Sequence, residues 1–241
     1  MNRLREFYRK YYQPDNVVLT IAGNFDVAKA LSYTTKYFGV LKRPKRRLDK
    51  TYTEEPGQDG ERTVVLRRVG KVGAVGALYH IPAAAHPDYP ALEVLADLLD
   101  AQPSGRLYKA LVKAKKASAV ASYALGLHDP GVVRVLAQVD NADQVPEARD
   151  IMLNVLEGIG KEKITKEEVQ RAQRKLLKQR QLLMNDVNRI GITLSEWAAK
   201  GDWRLFFLHR DRLEKVRVED VQRVAEKYLV QSNRTVGAYT P

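Results

Sequence analysis

The sequence predicts an α+β fold, a two-layer sandwich in which helices cover one face of a largely antiparallel sheet. Three observations predict it. Residues 72–81 place apolar side chains at alternate positions, as a half-buried strand does. Amphipathic helical segments follow such strands in repeated strand–strand–helix groups. A compact turn, His128-Asp129-Pro130-Gly131, joins two further strand segments.

The chain begins and ends with two similar sequence segments. In each copy an amphipathic helix ends at a tyrosine, the chain turns at an asparagine and a strand follows. Tyr11 and Asn16 in the first copy correspond to Tyr228 and Asn233, 217 positions later. A period this long indicates a duplicated domain and excludes a solenoid of short repeats.

The duplication predicts three parts. Residues 1–39 would be the tail of a first repeat, residues 40–61 a linker, and residues 62–241 nearly all of a second repeat. The first part is predicted as helix 3–12, buried strand 17–23 and helix 26–38. The linker loses hydrophobic periodicity. The residues that break it are Pro44, Pro56, Gly57 and Gly60.

The second repeat is predicted to alternate strands with helices. The order is strands 62–69 and 72–81, a helix from a capping Asp88 to about Asp100, a short basic helix over 105–115, strands 118–127 and 132–139, and helix 143–159. Thr165 and Glu168 form a capping box that opens a long helix, expected to bury residues as far as Val187 and Ile190. Helices over 193–200, 202–214 and 218–229 and a strand over 234–240 complete the repeat.

Composition limits the function classes. The 241 residues include 44% hydrophobic residues, enough for a sizeable core, and no apolar run approaches the length of a membrane span. The charged start of the chain is typical of neither a signal peptide nor a transit peptide, so any export signal is expected upstream of Met1. No cysteine is present, which excludes disulfides, thiolate zinc sites and a cysteine nucleophile.

The net charge of +12 raises the possibility of a nucleic-acid partner. The excess is concentrated in two runs, Lys42 to Lys50 and Lys109 to Lys116. Neither run is interleaved with the aromatic residues that stack on bases, so a solvated basic surface is the favoured interpretation.

A self-contained catalytic or metal site is not predicted. The four histidines, His80, His86, His128 and His209, form neither H-E-x-x-H nor its inversion. Glycine-rich phosphate loops and the G-x-S-x-G elbow are also absent from the sequence.

Several longer phrases resemble the pitrilysin/insulysin-type zinc peptidases. Residues 7–16, followed by an apolar strand and Ala22-Gly23-Asn24-Phe25-Asp26, resemble the end of the catalytic half. Residues 86–92, Ser104-Gly105-Arg106-Leu107-Tyr108 and residues 218–228 resemble the second half. The match follows the family's order along nearly the whole chain.

The resemblance implies a clam-like enzyme of two related halves. In the family, an inverted H-x-x-E-H motif and a distal glutamate hold zinc in the first half, and zinc activates the water that attacks a peptide bond. Those ligands would precede Met1. The resemblance therefore implies no catalytic residue and no metal ligand in this chain, with zinc in the missing N-terminal half.

One family feature falls inside the chain. Relatives carry an arginine and, seven residues later, a tyrosine, which hold substrate in the second half. Direct alignment from Arg106 places Val112 and Ala119 at these positions, so the pair is lost in that register. A shift of four residues offers Lys116 and Tyr123 as substrate-binding residues, although lysine lacks the planar fork of arginine.

Three functions remain open. The chain is expected to be the metal-free half of a metalloendopeptidase, which closes the chamber and contacts peptide. It could instead be an inactive partner or structural subunit of a heteromeric peptidase. A basic nucleic-acid-binding module is the remote alternative. The expected partners are a peptide and the catalytic half, with a homodimer or heterodimer possible. The resemblance weakly favours the bacterial periplasm or export, and the cytoplasm stays open.

Overall fold

The computed structural model describes residues 2–45, 48 and 57–241. Its centre is a five-stranded sheet in the order β1-β5-β2-β4-β3. The strands are β1 (Arg62–Arg67), β2 (Gly73–Ile81), β3 (Ala119–Leu125), β4 (Gly131–Val139) and β5 (Arg234–Thr240). Three of the four pairings are antiparallel, and only β1 runs parallel to its neighbour β5. The predicted largely antiparallel sheet is confirmed.

Two helices, α1 (Asn2–Tyr11) and α2 (Val27–Phe38), have no buried residues and lie outside the helical layer. The helices that form the layer over one face of the sheet are α3 (Tyr89–Asp100), α4 (Val145–Gly158), α5 (Lys166–Leu183), α6 (Val187–Ala199), α7 (Leu205–Glu214) and α8 (Val218–Tyr228). Side chains alternate along β2, where Val75, Ala77 and Tyr79 are buried beneath the helices and Leu78 points to the other face. The helix α3 packs directly on β3 and on α5 and α8, so the core lies between the sheet and α3. The predicted two-layer α+β sandwich is confirmed.

Local signals explain most element boundaries. Asp26 caps α2 by accepting a hydrogen bond from the Lys29 backbone N–H, and the helix ends at Gly39. Thr165 and Glu168 form the predicted capping box at the start of α5. The predicted basic helix over 105–115 is present, with a π-helical segment at Tyr108–Lys113.

The long helix predicted after Thr165 is interrupted. It ends at Leu183, and α6 begins at Val187 with Asp186 as its cap, accepting from the backbone N–H groups of Asn188 and Arg189. The expectation that Val187 points inward was wrong, since its side chain is exposed. Asp186 satisfies the free N–H groups of a new helix start, which makes a break favourable at this point.

The predicted buried strand 17–23 was also wrong. These residues follow α1, are mostly exposed and pair with none of the five described strands. They run instead along α6, where the Thr20 hydroxyl accepts a hydrogen bond from Ser195 Oγ at 3.1 Å. A strand needs a neighbour for its backbone hydrogen bonds, and the described chain supplies none here.

The two ends of the chain nonetheless share one local structure. A helix ending at Tyr11 is followed by a 3₁₀ turn at Pro14–Asn16, as a helix ending at Tyr228 is followed by a 3₁₀ turn at Gln231–Asn233. The Asn16 amide donates to the Tyr11 carbonyl at 2.9 Å, and the Asn233 amide donates to the Tyr228 carbonyl at 2.8 Å.

The domain division at 1–39, 40–61 and 62–241 stays a prediction. Much of the predicted linker, residues 46–47 and 49–56, lies outside the described residues. Within the part of the chain that the structure describes, no helix has the length and apolar character needed to cross a bilayer.

Candidate substrate-facing surface of the sheet

The predicted site residues lie on different layers of the sandwich. Lys116 precedes β3, and its Nζ lies 2.5 Å from Oε1 of Glu147 at the start of α4, in the helical layer. Tyr123 lies on β3, an edge strand, and points to the face of the sheet that no described helix covers. The structure therefore gives each residue a partner of its own and does not bring the two together. Their role in binding substrate stays a prediction.

The partner of Tyr123 is an arginine on the neighbouring strand. Arg134 lies directly opposite Tyr123 in the antiparallel register of β3 and β4. Its Nη1 donates to the tyrosine hydroxyl at 2.9 Å, and its guanidinium carbon lies 5.6 Å from the ring centroid. The hydrogen bond and the cation–π contact together hold the Arg134 guanidinium beside the Tyr123 phenol, and both groups face solvent.

The surface beside this pair is apolar. The open face carries a trough of about 380 Å³ that includes Arg134 in its lining. Its exposed apolar side chains are Val64, Leu66, Leu78 and Leu136. The open face of the sheet therefore combines an apolar trough with one guanidinium–phenol pair.

The aligned family positions carry no equivalent chemistry. Val112 packs partly buried against the core, and Ala119 is the first residue of β3. Residue spacing could not have found Arg134, because its contact with Tyr123 depends on strand register. The only sequence signal was its place at an outward position of an alternating strand.

A second polar cluster ties α3 to α8. Asp88 lies at the N-terminus of α3 but makes no capping hydrogen bond with its side chain, which corrects the predicted cap. Its carboxylate instead accepts from the Tyr228 hydroxyl at 2.8 Å and lies 2.8 Å from Nη2 of Arg223 and 3.4 Å from Nζ of Lys227. Burial alone would raise the pKa of Asp88, but the hydrogen bonds from Arg223 and Tyr228 and the charge of Arg223 outweigh burial and lower the pKa to about 2.

A third cluster surrounds His209 on α7. The imidazole is 6% exposed, with ring centroids of Trp197 at 5.0 Å and Tyr89 at 5.7 Å. Its Nε2 lies 2.5 Å from Oε2 of Glu93, within ion-pair distance but without hydrogen-bond geometry, and Nδ1 lies 3.3 Å from Nη1 of Arg180. These contacts join α3, α5, α6 and α7.

The remaining histidines lie apart from one another. His86 Nδ1 accepts from the Asp88 backbone N–H at 3.0 Å, and His128 contacts its neighbour Asp129 at 3.1 Å in the exposed turn before β4. His80 lies within β2. Among the described residues, no three histidine, aspartate or glutamate side chains are arranged so that they could hold a metal ion.

Comparison with known proteins places this geometry in a family. A family profile described as Peptidase M16 inactive domain matches residues 1–176. The chain belongs to the M16 peptidase family. The resemblance to pitrilysin-type zinc peptidases is confirmed, as is its assignment to their C-terminal, inactive half.

Individual relatives agree. The zinc protease PqqE of Helicobacter pylori is 26% identical over 237 residues, which cover 96% of this chain and 53% of that protein. An uncharacterized zinc protease of Streptomyces coelicolor is 29% identical, with coverage of 95% of this chain and 51% of that protein. The chain thus spans about half the length of these relatives.

Solved structures show the same fold. The crystal structure of a protease from Helicobacter pylori superposes with a TM-score of 0.91 at 25% identity, covering all of this chain and 59% of that chain. The inactive peptidase domain of a predicted zinc protease from Bordetella parapertussis superposes with a TM-score of 0.68 at 43% identity, covering 73% of this chain and 94% of that chain.

Proposed function

We propose that this M16 inactive domain is the metal-free half of a zinc-dependent endopeptidase, which closes over the catalytic half and contacts the peptide substrate. The observation that carries the proposal is the exposed apolar side of residues 2–41. In the second copy, Val221 and Val224 of α8 are fully buried. Their counterparts in the first copy, Leu4 and Phe7 of α1, are 73% and 53% exposed.

This contrast supports a second α/β sandwich, outside this chain, that would cover the exposed side of α1. The same helix and 3₁₀ turn are packed into a core at one end of the chain and open at the other. Exposed apolar area of this size is unfavourable in water, and burying each such side chain stabilises a protein by about 1.5–3 kcal/mol. The sheet and helices that would cover α1 and residues 17–23 are those of a first M16 half. The names of the two zinc protease relatives support zinc as the metal of that half.

The open face of the sheet is the proposed contact with peptide. Tyr123 and Arg134 can donate to substrate carbonyl groups from the edge strand β3 and its neighbour β4. Lys116 remains a candidate at the end of this edge. Charge-assisted hydrogen bonds to a developing oxyanion stabilise the transition state of peptide hydrolysis, which gives a cationic donor its role there.

The test uses the complete two-half protein that contains this chain. Hydrolysis of a quenched fluorescent peptide should require zinc. Tyr123→Phe and Arg134→Gln should each lower kcat/KM by about tenfold or more while the zinc content stays at one per protein. Arg149→Gln, on the surface of α4, is the matched control and should leave kcat/KM unchanged. Full activity in Tyr123→Phe, Arg134→Gln and Lys116→Ala would contradict peptide contact at this face.

The inactive-partner function is favoured by one observation, the loss of the family pair at Val112 and Ala119. The two functions differ upstream of Met1. An H-x-x-E-H motif in the same reading frame supports the peptidase half, whereas its absence there, with a motif-bearing gene alongside, supports the partner subunit. A salt-dependent shift of nucleic acid by the purified chain would instead support the remote alternative.

Export to the bacterial periplasm is the location we propose for the parent protein. The periplasmic protease PqqL of Escherichia coli shares the fold with a TM-score of 0.77 at 14% identity. Recovery of the parent protein in the periplasmic fraction of its host would support this location, and recovery in the cytoplasmic fraction would contradict it.

A further inference from the structure

A groove lies between α5 and α7, in the outer tier of helices. It encloses about 670 Å³. Its apolar floor consists of Leu177 and Met184 on one side and Phe206 and Phe207 on the other. Phe207 is 41% exposed and Met184 is 46% exposed. Because both line a concave groove, a partner that enters the groove could bury its apolar side chains against them.

The rim of the groove is basic. Arg174 and Lys178 line the α5 side and Arg210 lines the α7 side, while Glu214 is the one acidic side chain in the lining. Asp211 pairs with Arg210 at 2.6 Å, so Arg174 and Lys178 dominate the electrostatic character of the rim. A partner that buries apolar side chains on this floor would therefore bind more specifically if its carboxylates lay next to the basic rim.

The lining has helical spacing on both sides. Along α5 the lining positions recur every three or four residues from Arg174 to Gln181, with Met184 and Asn185 just beyond the end of the helix, and along α7 they recur from Phe206 to Glu214. At 1.5 Å per residue, the α5 side from Arg174 to Gln181 extends about 10 Å, or two helical turns. This shape fits a helix laid between two others with anchors at i, i+3 or i+4, and i+7. We propose that the groove binds an acidic amphipathic helix of another protein.

The described helices of this chain are poor occupants of the groove. The two with apolar faces exposed, α1 and α2, carry mostly basic charge: arginines and lysines outnumber the single glutamate in α1, and α2 has lysines without an acidic residue. A second copy would bring these cations against Arg174 and Lys178. A membrane surface would meet a convex basic patch more readily than a concave groove between helices.

The groove is separate from the proposed peptide-contacting face. Helix α5 packs on α3, and α3 packs on the buried side of the sheet, whereas Tyr123 and Arg134 lie on the opposite face. Binding at the groove can therefore be measured without catalysis, and its failure would leave the proposed peptidase function untouched.

The test is a titration of a fluorescein-labelled 18-residue peptide with the purified chain, followed by anisotropy. The peptide has leucine at i, i+3, i+7 and i+10 and glutamate at most other positions. It should bind with a Kd in the micromolar range. Phe207→Ala should weaken binding about tenfold or more, because it removes a central aromatic anchor. Lys178→Glu should weaken binding several-fold and flatten its salt dependence.

Matched controls lie on neighbouring surfaces. Ile192→Ala removes an exposed apolar side chain from α6, and Lys166→Glu reverses a charge at the far end of α5; neither should change the Kd. Four results would overturn the proposal: no binding, equal binding of a lysine-substituted peptide, unchanged Kd in Phe207→Ala, or Phe207-dependent binding to phosphatidylserine vesicles in place of the peptide. Failure of the intact two-half protein to bind a peptide that this chain binds would also overturn it, since the groove would then be filled by the parent's own other half.

Discussion

Asp88→Asn tests the carboxylate that links α3 to α8 and whose pKa is lowered by its contacts there. The substitution keeps the size of the side chain and removes its charge, so the contacts with Arg223, Lys227 and Tyr228 lose their electrostatic part. The native carboxylate is 7% exposed, and its pKa is lowered from 3.8 to about 2. One pKa unit corresponds to about 1.4 kcal/mol, so the charged form contributes about 2 kcal/mol to the free energy of unfolding.

The pH dependence gives this prediction its sign. Because the folded-state pKa lies below the unfolded-state value, the stabilisation is fully present above about pH 4 to 5 and disappears as pH falls toward 2. Asp88→Asn should therefore destabilise the protein by about 2 kcal/mol at pH 7 and by progressively less between pH 4 and 2.

The assay is urea unfolding followed by far-UV circular dichroism at pH 7, 5 and 3. Asp150→Asn is the matched control, since Asp150 is exposed on α4 and pairs with the adjacent Arg149. It should change the free energy of unfolding little at any pH. A loss in Asp88→Asn that is below about 0.5 kcal/mol at pH 7, or that is the same at pH 3, would refute the reasoning.

Three further substitutions test the packing of the sandwich by the same unfolding measurement. Leu95→Ala, at a fully buried position of α3, should cost about 2–5 kcal/mol, and a cost under 1 kcal/mol would contradict its place in the core. Thr165→Ala should cost about 1 kcal/mol by removing the capping box, whereas Thr165→Ser should restore most of it. Gly126→Ala should cost about 1–3 kcal/mol, because its Cβ would lie 2.4 Å from the Tyr89 ring; a neutral result would show that the ring can move aside.

Local chemistry made the second repeat predictable. Strand alternation placed β2 and β4, the turn before Gly131 placed the connection from β3 to β4, and Thr165 placed the start of α5, all within about two residues. The break at Asp186 was missed because apolar spacing continues across it. An aspartate in that position can either continue the helix or cap a new one, and apolar spacing alone does not show which of the two structures forms.

Long-range geometry was less accessible. Residues 17–23 have the composition of a strand, but they pair with none of the described strands and are mostly exposed. The contact of Arg134 with Tyr123 depends on register across β3 and β4. The burial of His209 depends on aromatic residues from two other helices. For Arg134 and His209 the deciding partner lies on another strand or helix, so a window of neighbouring residues carries no signal of it.

The position of β5 has a consequence for biosynthesis. This strand inserts between β1 and β2, pairing Arg62 with Thr235, so the sheet cannot close until the ribosome has released nearly the whole repeat. Until then β1 has no neighbour and one side of β2 is bare. A nascent chain in this state has unpaired strand edges on β1 and β2 that can aggregate. We expect it to need holdase chaperones most during that interval.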